Sequence, residues 1–221
     1  MDRPDVGETE HRHALAALSR INWLSDSSGI FWPALRRLAR ETGRPLRVLD
    51  LACGGGDVTI ALARRARRAG IACEFVGCDL SPVALEVARA RAAEAGMAVD
   101  FFQLNVLESP LPRDFDAIIC SLFLHHLDEE QAEPLLRRMA EATRRMVLVN
   151  DLARSRIGYF LAEVVGRLVT RSPIVHLDGP LSVAGAFTPA EALALATKAG
   201  LPGATVTNHW PWRFLLEWKK A

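Results

Sequence analysis

The sequence has little of what marks several large protein classes. It has four cysteines, Cys53, Cys73, Cys78 and Cys120, and none stands in a Cys-x-x-Cys pair or a Cys/His cluster of zinc spacing. That excludes a disulfide-stapled scaffold and a zinc module. Three of the thiols sit in apolar, strand-like runs, as reduced, buried cysteines do. No sign of charge predominates: the net charge is +1, so no global field favours nucleic acid or an anionic membrane. The local cluster Arg64, Arg65, Arg67 and Arg68 reads as a solvated helix face. No apolar run is long enough to cross a bilayer. The best stretch, residues 157–169, is interrupted by Glu163 and Arg167. The first 13 residues are polar and charged, without the apolar core of a signal peptide. There is no internal repeat and no low-complexity linker. These absences leave a cytoplasmic protein without stable membrane insertion, a monomer or homodimer acting on something other than nucleic acid.

What is present suits one α/β domain. Half of the 221 residues are hydrophobic, enough for a sizeable core. Apolar runs alternate with amphipathic stretches, the pattern of a parallel sheet covered by helices. Helices are expected at 13–21 and 31–40, with a turn at 25–29 between them. Strands follow at 47–51, 73–78, 99–104, 117–121 and 146–150, with helices at 57–68, 82–96 and 129–143 between them. Ser81-Pro82 supplies an N-cap and a first-turn proline. Residues 152–187 read as helix and irregular chain. Thr188-Pro189-Ala190-Glu191 is a capping box opening a helix that ends at Gly200. Two β-like runs, 204–209 and 213–218, form an antiparallel hairpin. The expected organisation is an N-terminal helical cap over 1–45 and a cofactor-binding domain over 46–221, with a substrate-covering insertion at about 152–187.

The most informative stretch runs Val48-Leu49-Asp50-Leu51-Ala52-Cys53-Gly54-Gly55-Gly56-Asp57. A buried strand enters three glycines and then a helix. Glycine permits a sharp turn and a close approach of ligand to backbone, and the turn aims amide N–H groups from a helix N-terminus. A dinucleotide fold would want Gly-x-Gly-x-x-Gly here, but the third glycine position is Thr59. Asp50 would repel a pyrophosphate and can anchor an amino group. An NAD-dependent oxidoreductase is therefore disfavoured against a zwitterionic cofactor without phosphate. Asp79, 23 residues after Gly56, ends the neighbouring strand, where an acid can accept hydrogen bonds from ribose hydroxyls. Its plainer alternative is a turn former or helix-start charge.

These residues resemble the first motif of class I S-adenosylmethionine (SAM)-dependent methyltransferases, written here Asp50-x-Ala52-x-Gly54-x-Gly56. Alanine replaces the first glycine, a substitution that still permits close packing. The resemblance covers residues 20–150 and implies a Rossmann-like fold: a seven-stranded, mostly parallel sheet with a C-terminal antiparallel hairpin and helices on both faces. It implies SAM as cofactor, with Asp79 on the ribose, Leu80 against adenine, Asn105 on the adenine amino group, Val106 on the adenine side, and Ser121 in the cofactor site. Residues 115–127 look like the small-molecule branch, which includes quinone- and polyketide-type enzymes. Residues 22–32 look like the cap of that branch. The chain departs from the family between the fourth helix and strand five, where Ala142-Thr143-Arg144-Arg145-Met146 replaces a Pro-Gly-Gly turn.

The resemblance implies methyl transfer to a small-molecule acceptor, an aromatic or polyketide-like hydroxyl ahead of a carbon or nitrogen. A phenol, with a pKa near 10, benefits from a general base. His125 and His126, just past strand four, and His176 are the candidates; each could instead order its loop. Arg171, Asp178 and Asp151 are expected on the acceptor. Strand four ends in Cys120-Ser121, not the acid a metal-dependent catechol enzyme needs, so no metal is expected. A Pro-Pro-aromatic motif of nucleic-acid amino methyltransferases is missing. A catalytically silent member of the fold, binding a partner, stays open at this stage.

Overall fold

The computed structural model describes residues 26–155 and 182–220. Helix α1 (Ser27–Thr42) starts two residues before the end of the expected turn. Asp26 is the reason: it takes the cap position and its carboxylate accepts the Gly29 N–H at 3.0 Å. The chain then alternates β1 (Leu46–Leu51), α2 (Asp57–Arg68), β2 (Cys73–Asp79), α3 (Pro82–Glu94), β3 (Asp100–Gln103), β4 (Phe115–Ser121), α4 (Glu129–Ala142) and β5 (Thr143–Leu152). It ends with α5 (Pro189–Lys198), β6 (Thr205–His209) and β7 (Arg213–Lys219). The expected helix at 13–21 and most of the insertion lie outside the described residues, as do His176, Arg171 and Asp178.

The seven strands form one sheet in the order β3-β2-β1-β4-β5-β7-β6. Strands β1 to β5 pair in parallel, and β7 runs antiparallel between β5 and β6. The strand order reverses between β1 and β4, the switch point at whose carboxyl ends ligands bind in doubly wound sheets. Strands buried on both faces explain the near-continuous apolar runs. One face packs Val48, Ala117, Ile119, Leu148 and Leu215 under Ile30, Phe31, Leu35 and Leu38 of α1 and Val58 and Leu62 of α2. The other packs Leu49, Leu51, Ile118, Val147 and Val149 against Leu135, Leu136 and Met139 of α4 and Leu195 of α5. The segment expected as an N-terminal cap thus contributes α1 to a sheet-covering layer.

The α4–β5 connection is built without glycine. Helix α4 ends at Ala142 and Thr143 starts the strand. The Thr143 hydroxyl lies 3.0 Å from the Met146 carbonyl and 3.2 Å from that of Asp116. The Lys220 ammonium donates to the carbonyls of Ala140 and Thr143. The ammonium thereby takes the Ala140 carbonyl, one of the orphan carbonyls of the last helical turn that a glycine cap would otherwise satisfy. The capping box is present as expected: Thr188 accepts from the Glu191 N–H, and Glu191 accepts from the Thr188 N–H.

Candidate active site

The site lies along the carboxyl ends of β1, β2, β4 and β5. Strand β1 leads through Ala52 into the glycine turn. Gly54 and Gly56 have φ of 53° and 73°, the left-handed region that glycine enters at least cost. At Gly56 a Cβ would also lie 2.9 Å from Ala88 and from the Phe101 ring, so the turn is packed against α3 and β3 as well as bent. Ala52 has φ 51°. The alanine in the first glycine position is therefore strained and not a neutral replacement.

Asp50 sits beneath this turn, 1% exposed. Its Oδ2 accepts from the Thr59 hydroxyl at 2.6 Å. Its Oδ1 is buried without a hydrogen-bond donor among the described residues. Burial pushes the carboxyl up to about 7 against the opposing Thr59 hydrogen bond, and the charges of Asp57 and Asp79 add to the rise. Thr59, which breaks the dinucleotide pattern, is thus the partner of the motif acid. Asp79 ends β2 and ties the turn down: its Oδ2 accepts the Gly54 N–H at 2.8 Å and its Oδ1 the Ser81 N–H at 2.9 Å. Arg91 on α3 braces the turn from outside, 3.3 Å from the Gly55 carbonyl and 3.4 Å from Asp57.

The remaining cofactor candidates divide. Leu80 leaves 59% of its surface exposed, an apolar face beside Asp79 that a purine could cover. Asn105 turns its Oδ1 onto the Leu107 N–H at 3.0 Å, which orients its amide. Val106 points into the core with Leu111 and Leu135, and its carbonyl accepts from Arg138. Its side chain, expected on the adenine side, is 5% exposed. Ser121 ends β4 and its hydroxyl accepts from Asn150 Nδ2 at 3.2 Å. Leu122 follows with φ 55° and donates its N–H to the Asn150 carbonyl. A β-strand ending in a left-handed leucine stores strain next to the switch point, a common feature of functional sites.

A histidine–carboxylate pair stands at the ends of β4 and β5. His125 Nδ1 lies 2.6 Å from Asp151 Oδ1, and the His125 N–H reaches Oδ2 at 3.2 Å. Their side chains are 6% and 1% exposed. Burial would raise the Asp151 carboxyl. The His125 charge and hydrogen bond, with the N–H groups of Leu152 and His125, hold it below the usual value. The sequence assigned Asp151 to the acceptor. The structure turns its oxygens onto His125 because β5 runs two residues past its expected end and faces the loop after β4. His126 is exposed, its ring tilted 4.1 Å from that of His125. Among the described residues no group of three His, Cys, Asp or Glu side chains could hold a metal ion, and no helix is long and apolar enough to cross a membrane. The four cysteines are free thiols, and burial pushes Cys78 up to about 12.

Sequence reasoning missed Thr59, Arg91, Asn150 and Arg213. Two of them left a signal: Thr59 as the break in the dinucleotide pattern, and Arg213 as a charge heading the apolar run Arg213-Phe214-Leu215-Leu216.

The residues present fit SAM. The buried, unpartnered Asp50 oxygen at the glycine turn is complementary to a cofactor ammonium. Asp79 and the exposed Leu80 offer an acid for a sugar and an apolar face for a base.

Comparison with known proteins agrees. Residues 48–146 match the family model of a methyltransferase domain. The chain is 27% identical over 203 residues to the ubiquinone biosynthesis O-methyltransferase of Aeromonas salmonicida, covering 88% of this chain and 74% of that protein. It is 36% identical over 107 residues to the demethylmenaquinone methyltransferase of Thermus thermophilus, 48% of this chain and 47% of that one. Other curated relatives are matched over 40% of their length. Human N-acetylserotonin methyltransferase, solved in complex with SAM, shares the fold with a TM-score of 0.69 at 16% identity, over 97% of this chain and 57% of that one. With its switch point, its acid-and-glycine turn and the methyltransferase domain matched over residues 48–146, the chain is similar to the class I SAM-dependent methyltransferases.

Proposed function

We propose that the chain methylates a hydroxyl of a small aromatic or polyketide-like acceptor, with His125 as general base. When bound, the cofactor supplies a methyl group already activated on a sulfonium, so the protein's part is to position and to move a proton. Asp50 and the turn would hold its amino-acid end, Asp79 its ribose, and Leu80 and Asn105 its adenine. The observation that carries the acceptor side is the 2.6 Å contact between His125 Nδ1 and Asp151. A buried carboxylate on Nδ1 keeps the proton there and leaves Nε2 as the basic nitrogen. Nε2 would take the proton of the acceptor hydroxyl, and Asp151 would stabilise the imidazolium that results. The names of the quinone relatives support a small acceptor. Residues of the segment 152–187, with His176, Arg171 and Asp178, would cover it.

The test is to incubate the protein with SAM and a panel of phenols, catechols and hydroxynaphthoquinones, and to identify products by mass and by methyl carbon shift. S-adenosylhomocysteine together with an O-methyl product is expected. A methyl found on carbon or nitrogen would remove the hydroxyl assignment. SAM bound without any turnover would favour the silent, partner-binding alternative.

A further inference from the structure

The charge on β7 has no place in the proton-transfer scheme above. Arg213 is 2% exposed and is the largest fully buried side chain among the described residues. Burial pulls its guanidinium down to about 10, although the Asp151 charge opposes this. A buried cation is costly unless an anion and several acceptors meet it. Among the described residues its hydrogen bond goes to one neutral group, the Ser27 hydroxyl at the start of α1. Asp151 does not serve as its ion-pair partner. That carboxylate is held by His125 and Leu152, and strand alternation puts it on the opposite sheet face, with Phe214.

Strand alternation also shows what Arg213 faces. On the α1 face, Val48, Ile119, Leu148 and Leu215 are core residues. Two positions farther toward the carboxyl edge stand Asp50, Ser121, Asn150 and Arg213. Asn150 Nδ2 donates to Ser121, and its Oδ1 is buried without a donor among the described residues. Asn150 and Arg213 are diagonal neighbours, since Asn150 pairs with Leu215 and Leu152 with Arg213. Their Cα atoms are about 7–8 Å apart in such a pair. The 16-residue helix α1 begins at the same place, its N-terminus capped by the Asp26 carboxylate, which accepts from the Gly29 N–H and pairs with Arg65.

Arg213 is too far from Asp50 for both to hold one amino-acid group. Three strand spacings separate β1 from β7, about 14 Å at ~4.8 Å each, whereas the two charges of an amino acid sit on adjacent carbons. The cofactor's ammonium therefore belongs at Asp50, and Arg213 awaits a different anion. We propose that Arg213 and Asn150 form an acceptor subsite for an aromatic compound carrying both a carboxylate and a hydroxyl. The guanidinium binds the carboxylate and Asn150 Oδ1 accepts from a hydroxyl. This rests on the methyltransferase reading for the position of the acceptor.

The experiment measures direct binding of two probes, 3,4-dihydroxybenzoate and the isosteric, uncharged 3,4-dihydroxybenzamide, by calorimetry with no turnover required. SAM binding is titrated separately, so failure of the cofactor site and failure of the anion subsite are distinct readings. Wild type should bind the benzoate about tenfold or more tightly over the amide, since a charge-assisted bond is roughly twice as strong as a neutral one. In Arg213→Met, an apolar replacement that buried sites tolerate, the ratio should fall to near one while SAM affinity is unchanged. Arg213→Lys should keep part of the preference. Equal binding of both probes by wild type, or binding of neither, overturns the proposal without any variant. Retention of the full ratio in Arg213→Met overturns it as well.

Discussion

The two edges of the sheet bury polar groups in opposite ways. At the amino edge, Asp116 is fully buried and fully served. Its Oδ2 accepts from Arg44 and from the Arg47 N–H, both at 3.0 Å, and its Oδ1 accepts from the other Arg44 nitrogen. The Thr143 hydroxyl beside it has three carbonyls within 3.4 Å as acceptors for its one hydrogen. At the carboxyl edge, Asp50 and Asn150 each leave a buried oxygen without a donor, and Arg213 is a buried cation facing a neutral hydroxyl. Leu122 and Ala52 add left-handed backbone there. Unmet polar groups and strain are costly to a fold alone. Two of the three buried side-chain atoms without a partner among the described residues lie at this edge, the third being Arg138 Nε on α4, and left-handed Asp114 precedes β4 at the amino edge. The concentration of unmet acceptors at the carboxyl edge points to where ligands complete the structure.

The sharpest break of this contrast is at His125. His125→Asn keeps a donor toward Asp151 but removes the basic nitrogen. Turnover should fall by about 10²–10⁴-fold, the usual contribution of a general base, with SAM affinity unchanged in calorimetry. Turnover within threefold of wild type would remove His125 as the base.

Asp50 should make the ligand-free protein less stable as pH rises. Its folded pKa is about 7 against an ordinary value of 3.8, so between these values the folded state binds the extra proton. Stability then falls as pH climbs from about 4 to 7, by on the order of 4 kcal/mol in all. Asp50→Asn should lack this fall and bind SAM more weakly, since an amide cannot pair with an ammonium. Denaturant melts across this range check it, and identical pH profiles for variant and wild type would contradict the burial argument.

Asp116→Ala should do the reverse. It should lower stability by about 1–3 kcal/mol through the orphaned Arg47 N–H, measured by urea melts, and leave SAM affinity alone. A loss of SAM binding there would erase the distinction between the edges. The smallest effect is expected for Ala52→Gly, which relieves a left-handed alanine against the added freedom of the unfolded chain. A gain of up to about 1 kcal/mol in the same melts is expected. A loss would mean that the Ala52 backbone is unstrained.

The cofactor half of the site was legible because its parts are neighbours in the chain. Strand, acid, glycine turn, helix, strand and second acid follow one another within residues 46–79, and alternation of apolar runs fixed the sheet around them. Helix starts at Ser81 and Thr188 were equally local, being set by one side chain and the N–H groups three residues on. The acceptor half was not legible in the same way. Asp151 was recognised as a site residue but given to the substrate, because nothing in the sequence tells that β5 extends to Leu152 and meets the loop after β4. Arg213 and Asn150 lie 63 residues apart and face each other only through the β5–β7 pairing. The sequence by itself determined the repeating units and the cofactor turn, since hydrogen bonding and periodicity act over a few residues. Which polar side chains share a buried edge, and which are left without partners, was decided by strand order and register, because those set contacts between residues that the chain keeps far apart.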